Sequence, residues 1–231
     1  ALWDDAARGL PRDLDFRGLA FDGWVQTDDS GLRLQGSAKA GQVRVAGEQV
    51  DGLEGQLASN GRQLGVNVKK ARALGANWEA GLAYDLKSKR LSGAAKTPAI
   101  ALAPLAARAG IAGLAGQVSS TVLIGGNEKA PELQIGLDGA ARYRLEDGRT
   151  FDFDRLSARI FTTGDKFEIR RAEANLGTGK LLASGRGTFS KGGQAVVDAV
   201  GLSLDELLPE QDIEGQTYAR AEINWSGSDW N

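Results

Sequence analysis

The chain of 231 residues contains no cysteine, no histidine and no methionine. Without cysteine there is no disulfide, no thiolate nucleophile and no thiolate metal site. Without histidine the commonest general base and the commonest zinc and iron ligand are missing too. The sequence therefore predicts no enzyme, no catalytic residue, no metal and no cofactor. An excess of one charge is also lacking: 28 basic and 30 acidic residues leave a net charge of −2. No bulk field concentrates polyanions, and no nucleic-acid partner is expected. The longest nearly apolar stretch, residues 99–107, is broken by Pro104 and stops at Arg108, well short of the roughly 20 residues of a membrane-spanning helix. Ala1-Leu2-Trp3-Asp4-Asp5 carries neither the basic nor the apolar part of a signal peptide, and no initiator Met precedes it. On this reading the chain is a piece of a longer one.

What is present is alternation. Apolar and polar residues alternate at period two through most of the sequence, as in strands with one buried and one wet face. Trp78, Ala80, Leu82, Tyr84 and Leu86 fall on one side of such a stretch, opposite Glu79, Asp85 and Lys87. Val118, Val122 and Ile124 repeat the pattern, followed by Leu133, Ile135 and Leu137, then Phe151 and Phe153, then Ala219, Ala221, Ile223 and Trp225. Turn chemistry separates these runs at Asn60-Gly61, Gly125-Gly126-Asn127, Asp147-Gly148 and Lys191-Gly192-Gly193. With 32 glycines and five prolines, the composition suits many short strands, and the fold class is all-β with a few short helices.

The helical pieces are three, at residues 2–11, 102–110 and 202–209, each one or two turns closed by Gly or Pro. After each comes a strand bracketed by glycines: Gly18 and Gly31, Gly116 and Gly126, Gly215 and Gly227. The opening glycines recur 98 and then 99 residues apart. A repeated sheet module leaves such a trace, because packing preserves pattern more than identity; chance alignment of Gly- and Ala-rich strands is the alternative. The modular reading divides the chain into the end of a preceding repeat (1–17), a first sheet repeat (18–115), a second (116–214) and the start of a third (215–231).

Local chemical motifs fail on inspection. Asn175-Leu176-Gly177-Thr178-Gly179-Lys180-Leu181 has Leu where a phosphate loop needs a hydroxyl, and Ala174 where it needs glycine. Asp13-Leu14-Asp15-Phe16-Arg17-Gly18 opens like a calcium loop but places Trp24 at the position of the bidentate Glu. Asp152 and Asp154, between Phe151, Phe153 and Arg155, read as the wet face of a strand. Serines have no His partner for a triad, and Asn224-Trp225-Ser226 is a short match to a glycosylation pattern. What remains is the apolar stripe itself. It is either a closed core or the lining of a sheet that curls without closing, open to acyl chains or an unfolded strand.

Val50-Asp51-Gly52-Leu53-Glu54-Gly55-Gln56-Leu57, the run from Ile111 through Gly126 to Ala130-Pro131-Glu132-Leu133, and Leu176-Gly177-Thr178-Gly179-Lys180-Leu181-Leu182-Ala183-Ser184-Gly185 resemble the AsmA-like superfamily, most nearly its TamB branch. The resemblance runs over essentially the whole chain and implies an elongated, curved, mainly antiparallel or mixed sheet folded as a taco-like trough. It implies a periplasmic protein tethered to the inner membrane through other parts of its chain. Phospholipid or another acyl-chain ligand would be its cargo, and an outer-membrane assembly barrel a possible partner. The groove would be lined by Leu32, Leu34, Val43, Val45, Val66, Val68, Trp78, Leu82, Tyr84, Val118, Val122, Ile124, Leu133, Ile135, Phe167, Ile169, Ile223 and Trp225. The competing expectation is a structural or adhesive β-solenoid with a packed interior, binding a protein or glycan on its outer face.

Overall fold

Alternating stretches form strands almost wherever they occur. The computed structural model describes residues 15–28, 31–45, 48–108, 110–207, 211 and 213–227. These form β1 (Asp15–Arg17), β2 (Ala20–Asp28), β3 (Gly31–Val45), β4 (Glu48–Asn60), β5 (Gln63–Ala73), β6 (Ala76–Asp85), β7 (Arg90–Ala101), α1 (Leu102–Arg108), β8 (Leu114–Asn127), β9 (Ala130–Arg144), β10 (Thr150–Thr163), β11 (Lys166–Leu176), β12 (Gly179–Thr188), β13 (Gly192–Ser203), α2 (Leu204–Leu207) and β14 (Gln216–Ser226). The chain divides into two compact units, Ala1–Ala95 and Lys96–Asn231, with β7 running through the division.

The first unit is an open antiparallel meander in which β3 to β6 pair in sequence order. Its outer strand is split: β1 and β2 lie along the same edge of β3 in one register, Arg17 opposite Gln42 and Ala20 opposite Lys39. The break falls at Gly18, whose φ of +64° is one that side chains other than glycine rarely adopt. Trp78 is fixed by its indole Nε1–H donating to the Ala73 carbonyl at 3.1 Å. The second unit is a seven-stranded meander, β8 to β14, with every pairing antiparallel. The fold is thus all-β, and the pairings among β1 to β6 and among β8 to β14 are all antiparallel in the described residues.

The second helical piece is α1. Pro104 sits in its first turn, where a missing N–H costs nothing. Its end is a Schellman motif: Gly110 at φ +73° donates to the Ala107 carbonyl (3.1 Å) and Ile111 to that of Ala106 (2.8 Å). The third piece is α2, a single turn whose first N–H, at Leu204, donates to the Gly215 carbonyl at 2.9 Å. The first piece lies outside the described residues. Six strands, β8 to β13, separate the helices, and each reverses the direction of the one before. The chain therefore leaves the sheet at the end where it entered, and both helices occupy that end. There Arg149 Nη1, from the β9–β10 turn, donates to the Leu207 carbonyl at 3.2 Å. That bond spans the ends of β10 to β13 and holds α2 across them.

Side-chain carbonyls and carboxylates organise the turns. Asn60 Oδ1 accepts from the backbone N–H groups of Arg62 and Gln63, and Asn127 Oδ1 from those of Lys129 and Ala130. The break expected at Gly125-Gly126-Asn127 therefore moves on: the strand continues through Asn127 and the turn is 128–129. Leu86, expected at the end of a strand, instead lies in the β6–β7 turn and is 40% exposed. Asp85 governs that turn. Its Oδ1 accepts from the N–H groups of Lys87 (3.1 Å) and Ser88 (2.7 Å) and from Ser88 Oγ (2.9 Å), and its Oδ2 from Arg62 Nε (3.3 Å). The Ser88 hydrogen bonds, then Arg62, lower its pKa to about 2. A depressed carboxylate stabilises the fold above its unfolded pKa, and that contribution disappears as pH falls through the folded value. Asp85→Ala is therefore expected to reduce the denaturant midpoint at neutral pH. The deficit against wild type should narrow as pH falls from about 4 toward 2, as denaturant titrations across that range would show.

Candidate functional site

Directly paired residues of an antiparallel sheet share a face, so the register assigns every strand residue to a side. In the second unit one row crosses all seven strands as Val122, Ile135, Ile160, Ile169, Gly185, Ala195 and Ile223. The row on one side of it is Ile124, Leu133, Thr162, Phe167, Gly187, Gly193 and Trp225; that on the other is Ser120, Leu137, Ala158, Ala172, Ala183, Val197 and Ala221. Next follow Val118, Gly139, Leu156, Ala174, Leu181, Ala199 and Ala219. This face is apolar apart from Ser120 and Thr162, and all nine groove residues expected in the second unit lie on it.

The first unit repeats the arrangement. Val25, Leu34, Ser59, Leu64 and Tyr84 form one row; Gly23, Gly36, Leu57, Val66 and Leu82 the next; Phe21, Ala38, Gly55, Val68 and Ala80 a third. Leu32, opposite Thr27, and Trp78, opposite Ala71, extend the same face. Ser59, a buried hydroxyl on this face, donates to the Leu32 carbonyl at 2.7 Å. Val43 is buried but does not continue these rows: the buried positions Ala38 and Ala40 are even-numbered, and Val43 follows beyond Gly41. Val45 pairs with Glu48, and its side chain is outside the description.

The opposite face carries the ions. Lys39–Glu54, Arg142–Asp152 and Asp198–Arg220 are directly opposed cross-strand pairs at 3.7, 2.5 and 3.6 Å. Arg159–Asp138 joins neighbouring strands at 3.1 Å, and Glu173 accepts from Arg171 (2.6 Å) and Lys180 (3.3 Å). These bonds hold the carboxyls of Asp152 and Glu173 below their usual range. Arg170 stacks on the Phe161 ring at 3.7 Å. An open depression of about 640 Å³ lies here between Glu168, Arg170, Arg186, Gln194, Glu222 and Asn224. Among the described residues no group of three or more Asp or Glu is placed to hold a metal ion.

Glycine reveals which way the sheets bend. A Cβ added to Gly139 would stand 2.2 Å from the Gln117 carbonyl oxygen and 2.7 Å from Val118 Cα. The same collision with a neighbouring strand's backbone, at 2.2–2.8 Å, meets a Cβ at the apolar-face positions Gly23, Gly36, Gly55, Gly93, Gly185, Gly187 and Gly193. On the polar face, Gly81 and Gly125 have nothing within 4 Å, Gly65 meets an ordinary contact at 3.6 Å, and Gly136 meets only the flexible end of Arg159. Among these strand-interior glycines the close approach is on the apolar side, so each sheet is bent toward its apolar face. A Cβ on Gly192, at the start of β13 on the polar side, also meets backbone, 2.1 Å from the Trp225 carbonyl oxygen, but there φ is +97°. Aromatic rings cover several of these glycines. Phe21 Cζ lies 2.9 and 2.7 Å from where the Cβ atoms of Gly23 and Gly36 would be. Phe167 leans over Gly187 and Trp225 over Gly193, which brings the two rings into a stack at 6.0 Å, with Phe189 beside Phe167 at 5.3 Å.

The concave face is uncovered. In a sandwich the large inward side chains of central strands are buried by the opposing layer. Among the described residues of these rows in the second unit, Val118 at 2% exposure is the one large side chain that is fully enclosed, whereas Val122, Ile124, Leu133, Ile135, Leu137, Ile160, Phe167, Ile169 and Leu181 are half-buried. Leu57 and Leu64 belong to the apolar face of the first unit, and Leu137, Leu156, Ile160, Leu181 and Val197 to that of the second, but none was in the expected set. For Leu156 and Ile160 the missing signal is parity: a bulge between Phe153 and Leu156 on β10 shifts the alternation away from that of Phe151 and Phe153. No family model, curated protein or solved structure matches the chain.

Proposed function

We propose that the concave apolar face shelters the acyl chains of phospholipid, as a repeat segment of a periplasmic, inner-membrane-tethered protein of the TamB kind that carries lipid toward the outer membrane. The observation that supports this reading is the half-buried state of the large aliphatic residues in the middle of an inward-bent sheet. A soluble protein rarely leaves so continuous an apolar surface without a ligand or partner. An acyl chain suits it, because each CH₂ withdrawn from water contributes about 0.8 kcal/mol without directional bonds, and the face offers no polar constellation to select anything else. Loading and release then need no catalysis. Assistance to assembly of an outer-membrane barrel protein is an extension of the same surface, since an unfolded strand is also an apolar ribbon.

The test is extraction of the protein, purified without detergent, with organic solvent. Mass spectrometry is expected to find phospholipid in at least stoichiometric amount. Clean protein from a host whose membranes supply the lipid would count against the proposal and favour a surface that binds protein.

A further inference from the structure

A furrow on the polar face of the second unit holds a cation that its neighbours leave uncompensated. Glu168, Arg186, Gln194 and Asn224 stand opposite one another on β11 to β14 and form one bank of the open depression. Arg170, Ser184, Val196 and Glu222 form the other. Glu168 is the cross-strand neighbour of Arg186, yet its carboxylate turns to Arg170 Nε at 3.4 Å. Arg170 lies at the β11 bulge and is itself fixed on the Phe161 ring. Among the described residues Arg186 therefore has no ion pair, and the side chains of Gln194, Asn224 and Ser184 have no hydrogen-bond partner. We infer that the furrow binds an oligosaccharide with a carboxylate on every second ring, the carboxylate resting on Arg186 and neighbouring hydroxyls on Gln194, Asn224 and Ser184.

Spacing and charge together select that ligand. A guanidinium presents a planar fork of donors that matches a carboxylate, and amides and hydroxyls both donate and accept, as sugar hydroxyls require. Strands about 4.8 Å apart repeat these groups at close to the length of one pyranose ring, over about 14 Å from β11 to β14. Charge limits how acidic the ligand can be. Glu168 is held by Arg170, but Glu222 is 71% exposed and its approach to Arg220 is a loose 4.0 Å; Arg220 also meets Asp198 at 3.6 Å. An acid on every ring would bring a second carboxylate against Glu222, whereas a neutral glycan would leave Arg186 unused. Arg170 covers the Phe161 ring at 3.7 Å, so that ring is not open for a sugar to stack on, and the dissociation constant should be on the order of 1 mM. All four strands contribute through side chains on their polar face, so the furrow does not depend on what lies beyond β14. It is also on the opposite side of the sheet from the acyl-chain surface and stands apart from that reading.

Three oligosaccharides of equal length separate the possibilities when titrated into the full chain and followed by backbone and side-chain amide shifts. Hyaluronan hexasaccharide carries an acid on alternate rings, chitohexaose carries none, and hexagalacturonate carries one on every ring. Hyaluronan is expected to shift the signals of Arg186, Gln194 and Asn224 and to bind about tenfold more tightly than either of the others. Arg186→Gln should weaken it to the level of chitohexaose. Arg155→Gln, at an exposed arginine outside the furrow, should leave it unchanged. Both substitutions are of exposed side chains, and unchanged melting temperatures would show that the fold is intact. No shift up to about 10 mM hyaluronan hexasaccharide, equal affinity for the three probes, shifts confined to the apolar face, or undiminished binding by Arg186→Gln overturns the assignment.

Discussion

Gly139→Ala is expected to destabilise the second unit by roughly 2–4 kcal/mol, and Gly139→Val to prevent its folding. The added Cβ has no soft neighbour to displace. It meets a carbonyl oxygen and a Cα of β8, both fixed by the ladder, beside Val118, which is only 2% exposed. Relief requires β8 and β9 to separate, which breaks hydrogen bonds and opens the bend together. Gly125→Ala, on the same sheet but on the polar face with nothing within 4 Å of the new atom, is the matched comparison. It should be neutral or stabilise by about 0.5–1 kcal/mol, since alanine loses less backbone entropy than glycine on folding. Denaturant midpoints of the two variants decide the matter: equal effects would mean that bending does not depend on the missing side chains.

The second large effect concerns ligand. Val122→Asp should reduce retained phospholipid about 100-fold while costing less than about 2 kcal/mol of stability, because a carboxylate forced against an acyl chain loses several kcal/mol of hydration. Val122 is half-buried in the unliganded protein, so the carboxylate remains hydrated until lipid covers it. Val122→Leu should leave binding within about twofold, since the surface selects apolarity and not shape. Lipid counts on the purified variants, with thermal melts as the control for folding, distinguish lost binding from lost structure. Wild-type lipid content in folded Val122→Asp would falsify the acyl-chain reading of this face.

Strands, turns and faces were legible in the sequence because their physical cause is local. A period of two follows from the pleat, and an Asn or Asp at a turn accepts from the N–H groups two and three residues on, as Asn60 and Asn127 do. Val122, Ile124, Leu133 and Ile135 share one face for that reason. Parity failed wherever the ladder carries an extra residue. Neither Asp154 nor Arg170 announces a bulge, so Ile160 and Leu156 were not grouped with Ile135 and Gly139, which they face. The glycines were read only for the turns and short strands they suit, whereas the register places several on the apolar face, where strands approach too closely for Cβ. Whether the face would be covered was not legible, because cover is a property of the whole arrangement and not of any one strand.

The six strands between α1 and α2 have a consequence for how such a chain can change in length. An even number of strands returns the chain to the end from which it started, with the next strand pointing the same way as the first. A block of that size can be duplicated or deleted without reversing strand direction, exchanging the inner and outer faces or moving the helices to the other rim. An odd block would invert all three. Growth by whole even blocks is the one kind of insertion that keeps the inner surface continuous, so length becomes a quantity that can be adjusted independently of what the surface holds.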